Sequence, residues 1–396
     1  MRVLITDGNC RSALAATRSL GNKGIDVVVS ESFNYNLSSS SRYCKKNYVC
    51  PSPYVQPEEF LNAIQRIIDT ESIDLIFPMT DISMELILAN SSRFRKNMLH
   101  ALPSYSSYMV LTDKINLLKL ASKLNLLIPE SIFIENKRDL LNAINTINFP
   151  VIIKPARSRL FYEGKYLATS VSYAESEDQL LNIYERTNYL KKPFIIQKIV
   201  SGHGAGLFTL FNHGRPVVYF CHKRLRERPP SGGVSVVCES IPVDENLRDI
   251  AEKLLTAVNW HGIAMVEFKI DDKTNTPYLM EVNGRFWGSL QLAIDSGVDF
   301  PYLLFLQSMN SFVGEKLTYQ MGRKSRWLLG DIDYLYLRLF KKTGNEGLPA
   351  NFSAKVRAIY DVMRFNGLLC NFDVLRLDDI KPFLTELKQY INGNHG

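Results

Sequence analysis

The sequence predicts an α/β protein whose character changes along its length. Three observations carry that prediction. Apolar runs of strand length, VLIT, DVVVSE and DLIFPM, alternate with helical repeats at the start of the chain, the pattern of a parallel sheet with helices on its faces. Near Leu111 the pattern shifts to short strands separated by charged helices, and beyond Gly314 to amphipathic helices. Between these, the segment MEVNGRF sets Glu281, Asn283 and Arg285 at alternate positions of a strand, where residues two apart share a face.

A chain of 396 residues can hold two or three domains with a sizeable core. With 46% hydrophobic and 22% charged residues, disorder is not expected. The formal charge of +7 suits an anionic ligand but is too small and too dispersed to indicate nucleic acid. The opening MRVLITDGNC enters a strand pattern at once, without the apolar core of a signal peptide, so a cytoplasmic location is expected. No uninterrupted apolar run reaches the roughly 18 residues of a spanning helix. Cys10, Cys44, Cys50, Cys221, Cys238 and Cys370 form no CxxC pair and read as reduced thiols.

In order, residues 1–110 hold VLIT, a helix from about Arg11 to Gly24, DVVVSE, the helix EEFLNAIQRIIDTE and DLIFPM, a Rossmann-like unit. Ligands of such sheets gather at the carboxyl ends of strands, here ITDGNCRS and PMTDIS. Gly8 stands alone and completes no GxGxxG fingerprint, which argues against a dinucleotide. Residues 111–200 open with a helix and a proline stop and carry two buried strands, VIIKPARS and FIIQKIVSG, each ending in a basic or polar pair. Residues 201–313 add LFTLF, PVVYF, VSVVCES, the helix LRDIAEKLLTAVNW, and a strand pair, IAMVEFKID and YLMEVNGRF, joined by the turn-rich DDKTNTP. Residues 314–396, with DIDYLYLRLFKK and DDIKPFLTELKQYI, read as a mostly helical extension.

Hairpin pairing would bring Glu267, in MVEFKI, beside Glu281, and Asn283 adds an amide oxygen. Oxygen ligands of this kind suit magnesium, which binds through one or two carboxylates and completes its shell on nucleotide phosphates. Read alone, the same residues serve equally as the solvated face of an edge strand. Lys114, Lys154 and Arg285 would neutralise a polyphosphate, although each taken singly reads as a snorkelling surface residue.

Taken in order, LTDKINLLKLA, VIIKPARS, FIIQKIVSG, MVEFKI and LMEVNGRFWGS resemble the ATP-grasp superfamily of ATP-dependent ligases, in its carbamoyl-phosphate-synthase-like branch. The resemblance covers about Met1 to Gln307. It implies a Rossmann-like domain preceding a two-lobed α+β ATP-grasp domain, with the small lobe over 111–200 and the large lobe over 201–313. It further implies that Lys114 and Lys154 bind ATP phosphates, that Gln197, Lys198 and Val200 line the adenine, and that Glu267, Glu281 and Asn283 hold Mg2+, with Mn2+ the alternative ion. Arg285 becomes the cation on the transferring phosphoryl group, with Lys154 beside it. Asp7, Gly8, Asn9, Thr80 and Asp81 would close one side of the substrate cleft.

Two departures stand out. Where many relatives carry a glycine-rich phosphate loop, this chain has ARSRLFYEGKYLATSVS, and where many have Glu at the hinge it has Gln197. The stretch HKRLRERPPSGG concentrates positive charge, so His222, Arg224, Arg226, Ser231 and Gly232 are expected to hold a substrate carboxylate, and Arg157 and Arg159 of the atypical loop are expected to shape the substrate site with them. The alternative for that stretch is a solvated basic strand and a loop. The resemblance implies an ATP-dependent carboxylate–amine ligase working through an acyl phosphate, with small-molecule acid and amine substrates; dimers are frequent among relatives. Two other readings are a bicarbonate-activating enzyme of the carboxylase or carbamoyl-phosphate type, and a nucleotide-binding regulatory module without catalysis.

Overall fold

The computed structural model describes residues 1–162, 164–230, 233–311, 317–340, 352–363 and 370–393. The chain opens with β1 (Arg2–Ile5), α1 (Arg11–Asn22), β2 (Asp26–Glu31), β3 (Cys44–Val49), α2 (Pro57–Glu71), β4 (Leu75–Phe77) and α3 (Asp81–Ala89). The four strands form one parallel sheet in the order β3-β2-β1-β4. Val3, Leu4, Ile5, Val27, Val28 and Val29 are fully buried, as consecutive residues of a parallel strand covered on both faces must be. The turn after β1 is fixed by Asp7, whose φ of 54° is one that Asp tolerates. Asp7 Oδ1 accepts from the Ser83 hydroxyl at 2.8 Å, which ties the β1 turn to the start of α3.

α4 (Tyr105–Thr112) and α5 (Lys114–Lys123) are separated at Asp113, whose carboxylate caps α5 by accepting from the N–H groups of Ile115 and Asn116. Next come β5 (Ser131–Ile134), α6 (Lys137–Ala143), β6 (Val151–Pro155), β7 (Arg159–Tyr162), β8 (Lys165–Ala168), β9 (Ser172–Ala174), α7 (Glu177–Arg186) and β10 (Phe194–Lys198). A four-stranded antiparallel sheet, β5-β10-β6-β9, packs its own core of Ile134, Leu140, Ile153, Leu180, Phe194 and Ile196. β7 and β8 form a separate hairpin after Lys154, where the sequence lacks the glycine-rich loop.

The remaining elements are β11 (Gly202–Asn212), β12 (Arg215–Arg228), β13 (Val234–Ile241), α8 (Glu245–Ala257), β14 (Gly262–Asp271), β15 (Pro277–Asn283), α9 (Leu290–Ser296), α10 (Phe300–Ser308), β16 (Lys324–Arg326), α11 (Leu328–Phe340), α12 (Phe352–Met363), β17 (Cys370–Phe372) and α13 (Lys381–Ile391). Seven of these strands form one sheet, β15-β14-β11-β12-β13-β16-β17. Unlike the sheet β5-β10-β6-β9, this sheet shares its core with the N-terminal sheet; Phe77 and Phe286 meet at 5.8 Å between ring centroids. The extension after Gly314 is helical in α11, α12 and α13 but also supplies β16 and β17, two strands too short to show a periodicity. It is tied back to the N-terminal unit by Asp379, which accepts from Arg18 Nε at 2.9 Å and from Ser41 Oγ at 2.6 Å. The six cysteines are free thiols, and no described helix is long and apolar enough to cross a membrane.

Candidate active site

The hairpin β14–β15 places Glu267 directly opposite Glu281 and Met265 opposite Asn283. Like charges facing each other across a pair of strands destabilise a sheet, so this register needs positive charge from elsewhere. Lys114 supplies it to Glu281 at 3.0 Å, and Arg224 to Glu267 at 2.9 Å. Asn283 Nδ2 donates to Glu267 Oε1 at 3.1 Å, and Arg285 Nε pairs with Asp81 at 3.0 Å. Gly284 is required between Asn283 and Arg285, because a Cβ there would come within 2.7 Å of the Trp260 ring.

Lys114 is the first residue of α5, an end where the helix macrodipole repels cations. Its amide donates to the Ala156 carbonyl at 2.8 Å, which binds the helix start to the end of β6. Burial works against its charge, but Glu281 outweighs that and holds its pKa above the usual lysine value. Glu281 is pulled below the usual carboxylate range by Lys114, whereas burial and then the facing Glu281 push Glu267 above it. Burial opposes the charge of Arg285 too, and the Asp81 carboxylate more than restores it.

This donor set fits magnesium on the chemistry of its atoms. Two carboxylates and an amide oxygen leave the rest of the shell to phosphate oxygens, and a divalent cation between Glu267 and Glu281 would remove the repulsion that raises Glu267. Among the described residues no group of three His, Cys, Asp or Glu converges as an all-protein metal cage would require.

The small lobe contributes Lys154 from β6 and Gln197 from β10. Lys154 Nζ donates to Gln197 Oε1 at 2.7 Å, and Gln197 Nε2 donates to Ser131 Oγ at 2.8 Å. Both ends of the buried amide are therefore engaged with protein. Burial, with Lys114 and Lys269 adding to it against Glu281, lowers the Lys154 pKa to about 8. Lys198 is exposed and reaches Glu130 only at 3.8 Å, and Val200 is half-buried just beyond β10.

The expected substrate-site set divides. Arg224 belongs to the site through Glu267. Arg159 lies 5.3 Å from the Tyr54 ring centre and lines the same cleft as Lys114 and Glu281. Arg157 also lines it but makes a two-pronged pair with Glu85 of α3, so its guanidinium is already occupied by a protein carboxylate. Two expectations need correction. Arg226 is directed away from the cleft, because Asp331 of α11 binds it at 2.7 and 2.6 Å and the Asp361 carbonyl accepts its third contact. His222 is buried against Phe208 and bonded to Ser289 at 3.0 Å; burial and then the Arg224 charge push its pKa down to about 3, so it is neutral and holds no anion by charge. Ser231 and Gly232 lie outside the described residues.

Sequence reasoning passed over Glu85, the partner of Arg157, and Arg11. The latter opens α1, pairs with Asp373 at 2.6 Å, and lies against Gly288 just after the Arg285 turn. One signal was available: Arg11, like Lys114, is a cation in the first turn of a helix, against the macrodipole.

Residues 210–327 match the model of a family described as ATP-grasp in the biosynthetic pathway with Ter operon. The chain is 24% identical over 298 residues to the carbamoyl phosphate synthase large chain of Methanothermobacter thermautotrophicus, covering 71% of this chain and 26% of that one. It is 26% identical over 178 residues to the alpha-aminoadipate–LysW ligase LysX of Sulfurisphaera tokodaii, covering 43% of this chain and 59% of the relative. The chain thus spans about a quarter and under two thirds of these two relatives' lengths. Biotin carboxylase from Campylobacter jejuni, solved as a β-γ-ATP complex, superposes with a TM-score of 0.63 at 16% identity, over 81% of this chain and 74% of that one. The family match over residues 210–327 is thus to an ATP-grasp model, and the likeness in sequence to these two relatives and in fold to the carboxylase accompanies it.

Proposed function

We propose that the protein is an ATP-dependent carboxylate–amine ligase. The observation that carries this reading is the facing pair Glu267 and Glu281, with Asn283, surrounded by Lys114, Arg224 and Arg285. Facing half-buried carboxylates that need cations from several elements make poor structural residues and good partners for a metal-bound polyphosphate. The relative that joins alpha-aminoadipate to LysW is a ligase by name, in keeping with this reading.

A substrate carboxylate oxygen attacks the γ-phosphorus of ATP, the bond to the β-phosphate oxygen breaks, and an acyl phosphate and ADP form. An amine then attacks the acyl carbon, loses a proton, and expels inorganic phosphate to leave an amide. Magnesium held by Glu267, Glu281 and Asn283 would supply neutralisation of phosphate charge. Lys114 and Lys154 position the phosphates, and Arg285, oriented by Asp81, stabilises the charge that develops on the transferring group. Arg224 lies beside Glu267 on the strand next to β11 and is placed to hold the acid. Gln197 keeps Lys154 aimed.

ADP release with ATP and magnesium, measured across pooled amino acids, uronic acids, amines and bicarbonate beside a Glu281→Ala control, tests this reading. The ligase requires a pool containing both an acid and an amine to stimulate the wild-type protein alone. Stimulation by bicarbonate without an organic acid would assign the bicarbonate-activating reaction instead, and ATP binding with no turnover in any pool would assign a regulatory module.

A further inference from the structure

A cavity of about 1100 Å³ bordered by described residues lies apart from the cleft of Lys114 and Glu281. It lies at the carboxyl ends of β1 and β2, between the loop that follows β2 and the helix α13, on the end of the parallel sheet at which such sheets bind ligands though not at its β1–β4 switch point. The size is that of a small-molecule site.

The walls are built rather than incidental. Asn9 Oδ1 accepts from Gln389 Nε2 at 3.0 Å, Gln389 Nε2 also reaches the Tyr35 carbonyl at 2.9 Å, and Ser40 and Thr385 share a hydroxyl contact at 2.7 Å. Asp379, bonded to Arg18 and Ser41, anchors the start of α13 against the N-terminal sheet. Two walls from opposite ends of the sequence are thus held at a fixed spacing.

Their chemistry is specific. Asn9 Nδ2, the Asn34 amide and Gln389 Oε1 have no protein partner among the described residues, so donors and acceptors both face the space. Phe33 and Tyr35, 43% and 78% exposed, present rings beside those amides. Lys381 and Lys388 stand on the α13 side, and among the described residues they are in no ion pair and no carboxylate lines the cavity. Amides that both donate and accept match vicinal hydroxyls, aromatic faces pack on the C–H face of a ring, and unpaired lysines attract an anion.

We propose that this cavity binds an anionic sugar, a polyhydroxylated ring bearing a carboxylate or a phosphate. The site stands apart from the ATP cleft and does not rest on the ligase reading. It shares one element with that cleft: Asn9 lines the cavity, and Arg11, two residues on, lies against Gly288 beside the Arg285 turn.

Saturation-transfer NMR and calorimetry on the full chain without nucleotide, using D-glucuronate, D-glucose 6-phosphate, D-glucose and inorganic phosphate, test the proposal. The expected result is saturable binding of glucuronate or glucose 6-phosphate, with glucose and phosphate at least tenfold weaker. Glucuronate alone binding would identify the anion as a carboxylate, and glucose 6-phosphate alone as a phosphate. In Tyr35→Ala/Lys388→Glu, both positions being on the surface, the binding should weaken at least tenfold while ATP affinity stays unchanged. Absence of binding by both anionic sugars, equal binding of phosphate alone, or undiminished binding by the double variant would each overturn it.

Discussion

The β14–β15 hairpin and the strand β12 are both densely charged, and they differ in where their counter-charges come from. On the hairpin, Glu267 and Glu281 oppose each other and draw their cations from α5 and β12. Toward the end of β12 three arginines meet acids: Arg224 has Glu227 as well as Glu267, Arg226 has Asp331, and Arg228 has Asp333 at 3.1 Å. Charge that repeats in sign across a strand pair needs cations brought from other elements, whereas Arg226 and Arg228 are held by acids of α11 as part of the scaffold. Arg224 is the residue at which the two regions meet.

Breaking the scaffold side should cost most. Asp331 is fully buried between Arg226 and Arg326, so Asp331→Ala would leave two buried guanidinium groups without their acid. A loss of about 3–5 kcal/mol is expected, read as a lower urea midpoint; an unchanged midpoint would show that the C-terminal segment does not stabilise β12. On the ligand side the pattern should invert. Arg285→Ala is expected to lower ADP release about 10²- to 10³-fold while the midpoint stays close to wild type. A matching fall in stability would instead make Arg285 an anchor for Asp81.

A smaller effect is expected at the pair that closes the loop after Lys154. Glu85→Gln removes one charge from the two-pronged contact with Arg157, a change of about 1–3 kcal/mol in a charged hydrogen bond. Its signature should be faster hydrogen exchange in the hairpin β7–β8, with little change elsewhere.

The smallest effect is a pH dependence. With Lys154 lowered to about 8, its charge is progressively lost above that pH in the free protein, so ATP affinity should fall by no more than about tenfold per pH unit there. Between about 8 and the unfolded lysine value near 10.4, the unfolded chain binds more protons than the folded one, so this group makes the fold more stable as pH rises. Gln197→Glu would place a carboxylate against Lys154 Nζ and move the break in affinity to higher pH. If the titrating break stays at the same pH, Gln197 does not set the state of Lys154.

Much of this architecture was legible locally. Alternating apolar runs announced the parallel sheet and period-two polar residues announced the hairpin, because each signal lies within one element or in the succession of elements; the roles of Lys114, Lys154, Glu267, Glu281, Asn283 and Arg285 are proposals built on that order. The contact of Gln197 with Lys154 was not legible, since β10 pairs with β6 in a register that only the fold sets. Arg226 and His222 were misread for a similar reason. Basic residues in a row look alike in sequence, and only packing distinguishes one bonded to an acid 105 positions away from one buried beside Phe208.

By itself, then, the sequence determined the elements, their order and the residue types able to hold a phosphate and a cation, since periodicity and turn chemistry act over a few residues. The tertiary structure decided which charges are satisfied and which are left facing a cleft. It also decided that α13 returns to wall a cavity on the N-terminal sheet, because pairing across a fold depends on contacts between segments that no local pattern encodes.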